Sequence, residues 1–387
     1  MKNIICILIV VLFLFSCSEK GGDFKVTVEN PSGFDRMAEL VEITIDTVKS
    51  SLPLKDSMVY VVKTTDGTVI PSQVTYDRKI VFQPELKAGE SKTFIITTGE
   101  PQDFPAKTYG RFITERKDDF AWENDRVAFR IYGPSLVEID GPSNGIDIWY
   151  KKTNNLVIDK WYKDDLAGVQ SYHEDHGEGL DDYSVGRSLG AGAMAPYVNG
   201  KLWLNENFAS QELLENGPLR TTFKLTYNDL DVDGKKIAES RTISIDAGSQ
   251  LSKIVQAYTI KEPMDVAAGI VKRQSGDSII SSTDNGYIIY SEPKTNKVEG
   301  VNVAMVFPEG FKEMKVDTYD NFNPVKKQTA TYSHVLGIAT QQPRIPVTYY
   351  IGYGWKEFGY PTTGDFEKYV QDFASALKEP LKITFVK

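Results

Sequence analysis

The stretch Phe24-Lys25-Val26-Thr27-Val28 alternates apolar and polar side chains with a period of two. Because successive side chains of a β-strand point to opposite faces, this alternation predicts a strand with one buried face. Similar short runs, separated by turn signals rich in Gly, Pro and Asp, cover residues 41–45, 59–62, 79–82 and 93–96. About seven short strands in roughly 75 residues are typical of an immunoglobulin-like β-sandwich. We therefore predict such a sandwich over residues 24–104.

The longer remainder of the chain, residues 105–387, is also dominated by predicted strands. Its clearest apolar runs cover residues 126–132, 219–227, 241–245, 254–260, 287–290, 301–307 and 347–353. Only residues 365–378 space their apolar side chains with a helical period, and residues 381–386 can then return as a strand. A long all-β chain without an internal repeat indicates a large sandwich of two many-stranded sheets.

Composition and charge argue against several classes of function. The chain has 387 residues, a net charge of −9, two cysteines and three histidines. Because basic residues are not in excess, we expect no nucleic-acid partner. Two cysteines are too few for a disulfide framework or a Cys-rich zinc module. The sequence also lacks Gly-rich phosphate-binding motifs, so nucleotide use has no support.

The N-terminus has the pattern of an export signal. Met1-Lys2-Asn3 is a short, positively charged start, and the apolar residues 4–15 are too few to cross a bilayer as a helix. Leu14-Phe15-Ser16-Cys17 resembles a bacterial lipobox, in which the cysteine is lipidated. We expect a signal peptide (1–16), a lipidated tether (17–23) and a cell-envelope lipoprotein that faces the periplasm or lies at the outer-membrane surface. The alternative is an ordinary signal peptide with a chance cysteine.

One polar loop, residues 171–187, holds two of the three histidines together with several carboxylates and glycines. In one interpretation, His173 or His176 works with Tyr183 in acid–base catalysis, because an imidazole titrates near neutral pH. In a second, His173, His176 and a carboxylate bind a divalent metal ion as a cofactor. In a third, the loop is a solvated acidic surface with a structural histidine. The concentration of scarce histidines favours a functional loop.

A segment before the loop, residues 116–134, offers candidate substrate contacts. Trp122 and Asn124 precede a predicted strand on which Arg130 could clamp a carboxylate in bidentate fashion. Alternatively, Trp122 belongs to the core and the charged side chains pair with one another.

A second aromatic segment, residues 145–162, has the composition of a sugar site. Trp149 and Lys160 would combine a flat apolar face with a charged group that bonds hydroxyls. Equally, Trp149 and Trp161 could be interior anchors of the large sandwich.

Four blocks of the sequence carry a family resemblance. They are Asp-Asp-Phe-Ala-Trp-Glu-Asn-Asp at 118–125, Ala-Phe-Arg-Ile-Tyr-Gly-Pro at 128–134, Gly-Ile-Asp-Ile-Trp at 145–149, and the loop from Tyr172-His173 to Val185-Gly186. The chain resembles, over residues 25–385, a family of Bacteroidetes lipoproteins of formerly unknown function associated with polysaccharide utilisation. This implies an N-terminal β-sandwich followed by a galactose-mutarotase-like β-supersandwich, a fold shared by polysaccharide lyases and carbohydrate epimerases. Related proteins are linked to the removal of water from uronic-acid-ended oligosaccharides.

The elimination implied by this resemblance needs three groups around a uronic acid. A cation must neutralise the carboxylate, a base must take the C5 proton and an acid must protonate the oxygen that leaves C4. We assign the cation to Arg187 or Arg130, with a metal as substitute, and the base and acid to His176 and Tyr183. A sugar leaving group makes the enzyme a lyase, and hydroxide makes it a dehydratase.

Two other functions stay open at this point. A glycoside hydrolase would use a carboxylate pair, Glu178 with Asp182 or Glu123. A non-catalytic lipoprotein would use the loop only to hydrogen-bond sugar hydroxyls. In each case we expect an oligosaccharide partner, with uronic acid as its charged sugar, and membrane contact through the lipid anchor only. The predicted substrate contacts are Arg130, Trp122, Asn124, Trp149, Lys160, Glu178 and Asp182.

Overall fold

The computed structural model describes residues 23–55, 57–273 and 275–386. The predicted signal peptide and the predicted lipidation at Cys17 lie outside the described residues. Within those ranges, no helix is both long enough and apolar enough to cross a membrane.

The N-terminal unit is a β-sandwich, as the alternating sequence predicts. Its strands are β1 (Phe24–Glu29), β2 (Val41–Thr44), β3 (Val59–Thr64), β4 (Val69–Ile70), β5 (Ser72–Val74), β6 (Lys79–Phe82) and β7 (Ser91–Gly99), with the one-turn helix α1 (Ile45–Val48) after β2. One sheet has the order β1–β7–β3–β4 and the other the order β2–β6–β5. The period-two side chains Val26, Val28 and Ile96 are completely buried in the core of this unit. Burial of one face of each strand is the reason that this sequence forms strands here.

The second unit begins with strands and short helices that surround the polar loop. In chain order they are β8 (Thr108–Ile113), β9 (Asp119–Asn124), β10 (Ala128–Ile131), a 3₁₀ turn (Pro134–Leu136), α2 (Val137–Asp140), β11 (Ile146–Lys151), α3 (Ile158–Leu166) and β12 (Gly179–Leu180). The remaining strands are β13 (Ala191–Val198), β14 (Lys201–Leu202), β15 (Ser210–Asn216), β16 (Arg220–Thr226), β17 (Leu230–Val232), β18 (Lys235–Ile237), β19 (Glu239–Asp246), β20 (Leu251–Tyr258), β21 (Met264–Lys272), β22 (Ser278–Ser282), β23 (Tyr287–Ser291), β24 (Val301–Val306), β25 (Glu313–Asn323), β26 (Gln328–Gln341) and β27 (Val347–Trp355).

These strands form a β-supersandwich of two large layers. One layer has the order β15–β16–β19–β20–β27–β24–β23–β22. The other joins β8–β9–β10–β11 to β13–β21–β26–β25, because Ile146 of β11 bridges Gly190 just before β13. Side chains from both layers, including Trp122, Phe129 and Phe223, pack into one hydrophobic core. We call the side of the second layer that faces away from this core the outer face.

The C-terminal helix predicted over residues 365–378 is observed as α4 (Thr363–Lys378). Thr362 and Asp365 form a reciprocal capping box at its start, and its buried side chains Phe366 and Val370 pack against strands of the first layer. Strand β28 (Lys382–Val386) then pairs antiparallel with β1. The C-terminal strand therefore belongs to the N-terminal sheet, although the predicted boundary at residue 104 assigns it to the second unit. This pairing covers an edge of β1 that would otherwise expose its backbone.

Alternation along β10 and β11 positions the candidate site. Phe129 and Ile148 enter the core, whereas Arg130, Asp147 and Trp149 lie on the outer face. Helix α3 covers this part of the outer face, and Trp161 stacks on Trp149 with ring centroids 5.2 Å apart. The polar loop follows α3 and returns over the same face.

Candidate functional site

The first polar centre on the outer face is a buried charge network that we call the Arg130 cluster: Arg130, Tyr132, Asp147, Tyr172 and Asp181. The guanidinium donates to Asp147 Oδ2 from Nε (3.0 Å) and Nη2 (2.5 Å), and from Nη2 to Asp181 Oδ2 (2.8 Å). The hydroxyl of Tyr132 donates to Asp147 Oδ2 at 2.9 Å, and Asp147 Oδ1 accepts the backbone N–H of Ile148. Loop residues Tyr172 and Asp181 thereby attach the polar loop to the sheet.

The Arg130 cluster is saturated with internal partners. Arg130, Asp147 and Asp181 have side chains that are 2%, 0% and 4% exposed. Burial, reinforced by the field of Asp181, raises the pKa of Asp147 to about 7. Because its donors face two internal carboxylates, Arg130 has no exposed fork with which to clamp a substrate. The alternative stated from the sequence, that these charges pair with one another, describes this region.

The two loop histidines lie at the surface and point to different acceptors. His173 Nδ1 lies 3.6 Å from Asp181 Oδ2 and 3.2 Å from the Asp181 carbonyl oxygen. His176 Nε2 lies 3.2 Å from the carbonyl oxygen of Ser171. Among the described residues, no group of three or more His, Cys, Asp or Glu side chains could hold a metal ion. The metal site at His173 and His176 stays a prediction without a third ligand in that part of the chain.

The predicted contacts Lys160 and Glu178 pair with each other beside the loop. Their Nζ and Oε2 atoms are 2.7 Å apart, and both residues line a small surface cleft together with His176. An exposed pair of this kind stabilises a protein little. His176 therefore faces a shallow cleft at the surface of the loop.

The predicted contacts Trp122, Asn124 and Trp149 are buried. Trp122 and Trp149 are completely inaccessible to solvent, so neither ring offers a face to a sugar. Asn124 accepts the N–H groups of Arg126 and Val127 and so fixes the turn before β10. Apolar packing explains the tryptophans, in agreement with the interior-anchor alternative.

The second polar centre is a cavity of about 250 Å³ beside the end of the polar loop. We call it the Glu292 cavity; its polar lining is Tyr150, Asp182, Ser184, Arg273, Glu292, Thr295 and Glu299. Tyr150 comes from β11, Arg273 directly follows β21, and Glu292 directly follows β23. The loop adds Asp182, whose Oδ2 accepts the hydroxyl of Thr295 at 2.7 Å.

Two polar atoms, one on the lining residue Glu292 and one on Tyr183 between the lining residues Asp182 and Ser184, are buried without a hydrogen-bond partner in the described residues. Arg273 Nε donates to Glu292 Oε2 (2.9 Å) and Arg273 Nη1 donates to the Ser184 carbonyl (2.9 Å). Glu292 Oε1 and the hydroxyl of Tyr183 have no such partner, and Arg273 lies over the Tyr183 ring at 4.9 Å. Because nearly all buried polar groups in proteins are paired, each exception indicates a bound water, a ligand or a chemical role.

The electrostatics of the cavity separate an acid from a base. Burial raises the pKa of Glu292, although the Arg273 guanidinium opposes the shift. Burial, reinforced by the field of Glu292, raises the pKa of Tyr183 well above its usual value. Tyr183 therefore stays protonated and can only donate, whereas Glu292 exchanges a proton closer to neutral pH than an exposed glutamate. The arrangement supplies one proton donor, one proton acceptor and one cation.

The structure thus brings Asp182 into the lining of the cavity, holds Tyr183 next to it under Arg273, and leaves His176 outside the lining. Arg187 lies further along the same segment, half-buried, and donates to the carbonyls of Leu204 and Asn205. Sequence reasoning missed Arg273 and Glu292, the cation and the carboxylate of the cavity. The only sequence signal is that each directly follows an apolar strand, where functional side chains are common.

Comparisons with known proteins extend this description. The family model "Domain of unknown function (DUF4861)" matches residues 28–383. The "Uncharacterized protein P7" of Formosa agariphila is 31% identical over 404 residues, which cover 99% of this chain and 100% of that protein.

Solved structures resemble this chain at low sequence identity. A protein of glycosyl hydrolase family 38 from Enterococcus faecalis aligns with a TM-score of 0.51 and 10% identity over 94% of this chain and 47% of its own. A heparan sulfate lyase HepC mutant from Pedobacter heparinus aligns with a TM-score of 0.35 and 5% identity over 67% of this chain and 38% of its own. The chain thus spans about half the length of the first protein, and the likeness to that protein concerns the fold alone. The family match and the 31% identity show that this chain belongs to the DUF4861 family of unknown function.

Proposed function

We propose that this protein is a carbohydrate-active enzyme of polysaccharide degradation that performs β-elimination at a uronic acid, as an oligosaccharide dehydratase or lyase. The observation that carries the proposal is a pair of unpartnered buried atoms on either side of Arg273: Glu292 Oε1, in the lining of the cavity, and the hydroxyl of Tyr183, whose ring lies against the guanidinium. One is an acceptor and the other a donor, and elimination needs one of each on the reacting sugar.

The reaction assigns a role to each group. Glu292 takes the C5 proton, the C5–H electron pair forms the C4–C5 double bond, and the C4–O bond breaks. Tyr183 protonates the departing oxygen, which leaves as water in a dehydratase or as the free hydroxyl of the departing sugar in a lyase. Arg273, whose Nη2 atom has no hydrogen-bond partner among the described residues, faces the substrate carboxylate and stabilises the charge that develops beside C5.

Three further points support a sugar as the substrate. The cavity of about 250 Å³ lies near the lower end of the size range of small-molecule sites. Its walls combine the ring of Tyr150 with hydrogen-bonding groups such as Ser184 and Thr295, which suit a ring that bears hydroxyls. The fold likeness to a glycosyl hydrolase family 38 protein and the resemblance to polysaccharide-utilisation lipoproteins favour the same class of substrate.

The test is the ultraviolet absorbance of the mature protein incubated with uronic-acid-ended oligosaccharides. We expect a rise from the new conjugated double bond, a loss of about 10²- to 10⁴-fold in Glu292→Gln, and a decline as pH falls through the raised pKa of Glu292. Glu299→Gln is the matched control, because Glu299 also lines the cavity but pairs with Lys294 and Lys356. Full turnover in Glu292→Gln would overturn the assignment.

Two additions to this experiment settle the finer points. Mass spectrometry of the product separates loss of water, which identifies a dehydratase, from loss of a sugar, which identifies a lyase. Incubation with a chelator tests the predicted metal at His173 and His176. A chelator-sensitive rise supports the metal, and an unchanged rise argues against it.

A second candidate function is a glycoside hydrolase. Asp182 and Glu292 line the same cavity, and a pair of carboxylates is what that chemistry requires. A hydrolase releases reducing ends without a new double bond, and Asp182→Asn should then abolish turnover. If neither product forms while oligosaccharides bind saturably, the protein is a non-catalytic oligosaccharide-binding lipoprotein.

We also propose that the protein is anchored in the cell envelope through a lipid on Cys17. The lipobox-like sequence before Cys17 is the support for this proposal. Labelling of cells with a fatty-acid analogue should mark the wild-type protein. Cys17→Ser should lose the label and leave the membrane fraction.

A further inference from the structure

The segment from Ser184 to Leu189 is pinned to the outer face by side chains beneath it. Arg273 Nη1 donates to the carbonyl of Ser184, and the Tyr319 hydroxyl donates to the carbonyl of Arg187 (3.0 Å). The Leu189 N–H donates to His334 Nε2 at 2.9 Å. The backbone around Arg187 is therefore held in place, and its guanidinium is pre-positioned before any ligand arrives.

Among the described residues, no carboxylate forms an ion pair with the Arg187 guanidinium. Its hydrogen bonds go to two neutral acceptors, the Asn205 carbonyl (2.7 Å) and the Leu204 carbonyl (3.2 Å). Glu206 is the acidic side chain whose field reaches Arg187. Burial lowers the pKa of Arg187, whereas the pKa of Arg273 is raised because Tyr183 and Glu292 outweigh burial. A half-buried cation without a counter-ion is costly, so an anion that reaches it gains binding energy.

Two further donors lie against the segment, one at Gly186 and one at Leu189, and have no acceptor in the described residues. The Tyr332 hydroxyl lies 2.8 Å from the place a Cβ on Gly186 would occupy, and it has no hydrogen-bond partner in the described residues. His334 accepts at Nε2, so its proton is on Nδ1, and that buried atom also lacks a partner in this part of the chain. Its ring stacks on Tyr319 with centroids 5.5 Å apart. A group of donors beside a cation favours an oxyanion over a neutral or cationic ligand.

This donor-rich group adjoins the Glu292 cavity. Ser184 lines the cavity, and Arg187 lies three positions further along the chain, a span of at most about 11 Å. The field of Arg273, which belongs to the cavity, also reaches His334. A short oligosaccharide with one ring in the cavity therefore extends past Arg187 when it follows the segment in this direction.

We propose that Arg187 and Tyr332 form a second subsite that binds an oxyanion, a carboxylate or a sulfate ester, on a sugar next to the one in the Glu292 cavity. This inference rests on the proposed function and adds to it that the substrate is an oligosaccharide with anionic groups on neighbouring sugars. Arg273 binds the carboxylate of the reacting uronate, and Arg187 binds the oxyanion on the neighbouring sugar.

The test compares three oligosaccharides with the same reacting uronic acid and a neighbouring sugar that is neutral, carboxylated or sulfated. We expect wild-type kcat/KM to be at least about tenfold higher for the charged forms, through KM, because a hydrogen bond to a charged group is worth that ratio or more. The charged form with the larger increase in kcat/KM over the neutral form identifies the natural oxyanion. Arg187→Gln should reduce the preference to about one, and Arg187→Lys should restore part of it.

Two controls separate binding from folding and from catalysis. Tyr332→Phe removes a donor but no internal hydrogen bond of the described residues, so it should fold normally and bind the charged forms several-fold more weakly. Arg344→Gln, an exposed arginine away from the segment, should change nothing. Equilibrium binding of inorganic sulfate and of free glucuronate to Glu292→Gln protein provides a readout that needs no turnover.

The outcomes distinguish this inference from the proposed function. An undiminished preference in Arg187→Gln and Tyr332→Phe, or equal binding of the anions with and without Arg187, overturns the second subsite. A third outcome is that no oligosaccharide yields product, that sulfate and glucuronate bind, and that Arg187→Gln abolishes this binding. This result would refute the proposed elimination and support the anion site.

Discussion

The Arg130 cluster and the Glu292 cavity are built from the same residue types and differ in how completely these are paired. Each has an arginine paired with a carboxylate and a tyrosine beside the arginine. In the cluster both oxygens of Asp147 accept hydrogen bonds, and Arg130 donates to two carboxylates. Glu292 Oε1 in the cavity and the Tyr183 hydroxyl next to it are unpartnered within the described residues. A closed network stabilises the fold, whereas unused bonding capacity at a cavity is available to a substrate.

The largest effect should come from opening the closed network. Arg130→Met leaves Asp147 and Asp181 facing each other in the interior, and removal of one partner from a buried ion pair costs about 3–5 kcal/mol. Urea unfolding followed by fluorescence measures the free energy of unfolding. Arg111→Met is the matched control, because its pairs with Glu115 and Asp159 are partly exposed and should cost at most about 1 kcal/mol. Equal losses in the two variants would contradict the distinction.

At Tyr183 we expect a small effect on stability and a large effect on turnover. Its hydroxyl has no described partner, so Tyr183→Phe should change the free energy of unfolding by less than about 0.5 kcal/mol. Turnover should nevertheless fall by about 10²-fold, because the proton donor is lost. Tyr227→Phe is a close control, since that hydroxyl is also buried and unpartnered but its ring lies against Arg241 rather than Arg273. A variant of Tyr183 that is unstable but fully active would make the residue structural.

The fold was largely predictable because its signal is local. Period-two runs marked the strands of the N-terminal unit, and the helical period marked α4. Helix α3 was missed because its nine residues bury a single aromatic patch. Strand β25 was missed because its side chains are exposed or half-exposed along its whole length, so no buried face marks it. Strand β26 was missed although its second half is buried, because its first half is exposed and polar.

The candidate site was predictable only in part, because the fold brings together residues that are distant in sequence. The polar loop was identified from its composition and does carry Asp182 and Tyr183. Its partners lie far away in sequence: Arg273 contacts Ser184 across 89 residues, and Thr295 contacts Asp182 across 113. The order of the strands in the sheets brings these residues together, and residue spacing in the sequence does not reveal that order.

Histidine scarcity favoured His173 and His176 as acid–base groups, and that assignment stays a prediction. A sequence shows that a residue is rare, but the depth of its burial and the number of its partners decide its chemistry. His334, the third histidine, is completely buried, whereas the clustered His173 and His176 are exposed. Composition located a polar loop that reaches the Glu292 cavity, but not the distant side chains that line the cavity with it.

A moderate effect on the free energy of unfolding at acid pH should come from His334. Burial lowers its pKa from 6.5 to about 3, so the unfolded chain binds an extra proton between these pH values. The stabilising contribution is complete above pH 6.5 and is lost as pH falls. Between pH 6.5 and 5 this one group should reduce the free energy of unfolding by about 1.5 kcal/mol. His334→Gln should lack this contribution to the pH dependence of the free energy of unfolding. Its free energy of unfolding should be the same at pH 7 and pH 8. Identical slopes in wild type and variant would refute the buried neutral state.

The smallest effect should come from His176, and it tests where the chemistry lies. The sequence alone predicts that His176→Ala abolishes turnover, because clustered histidines suggest acid–base catalysis. In the structure, the ring is exposed, lies 3.2 Å from the Ser171 carbonyl and borders the shallow cleft rather than the Glu292 cavity. We therefore expect kcat and KM to stay within about twofold of wild type, in the same assay in which Tyr183→Phe loses activity. A loss of tenfold or more would place the reaction at the exposed surface of the loop. The unpartnered atoms of the cavity would then need a different explanation, such as bound water, because the same proton cannot be transferred at both places.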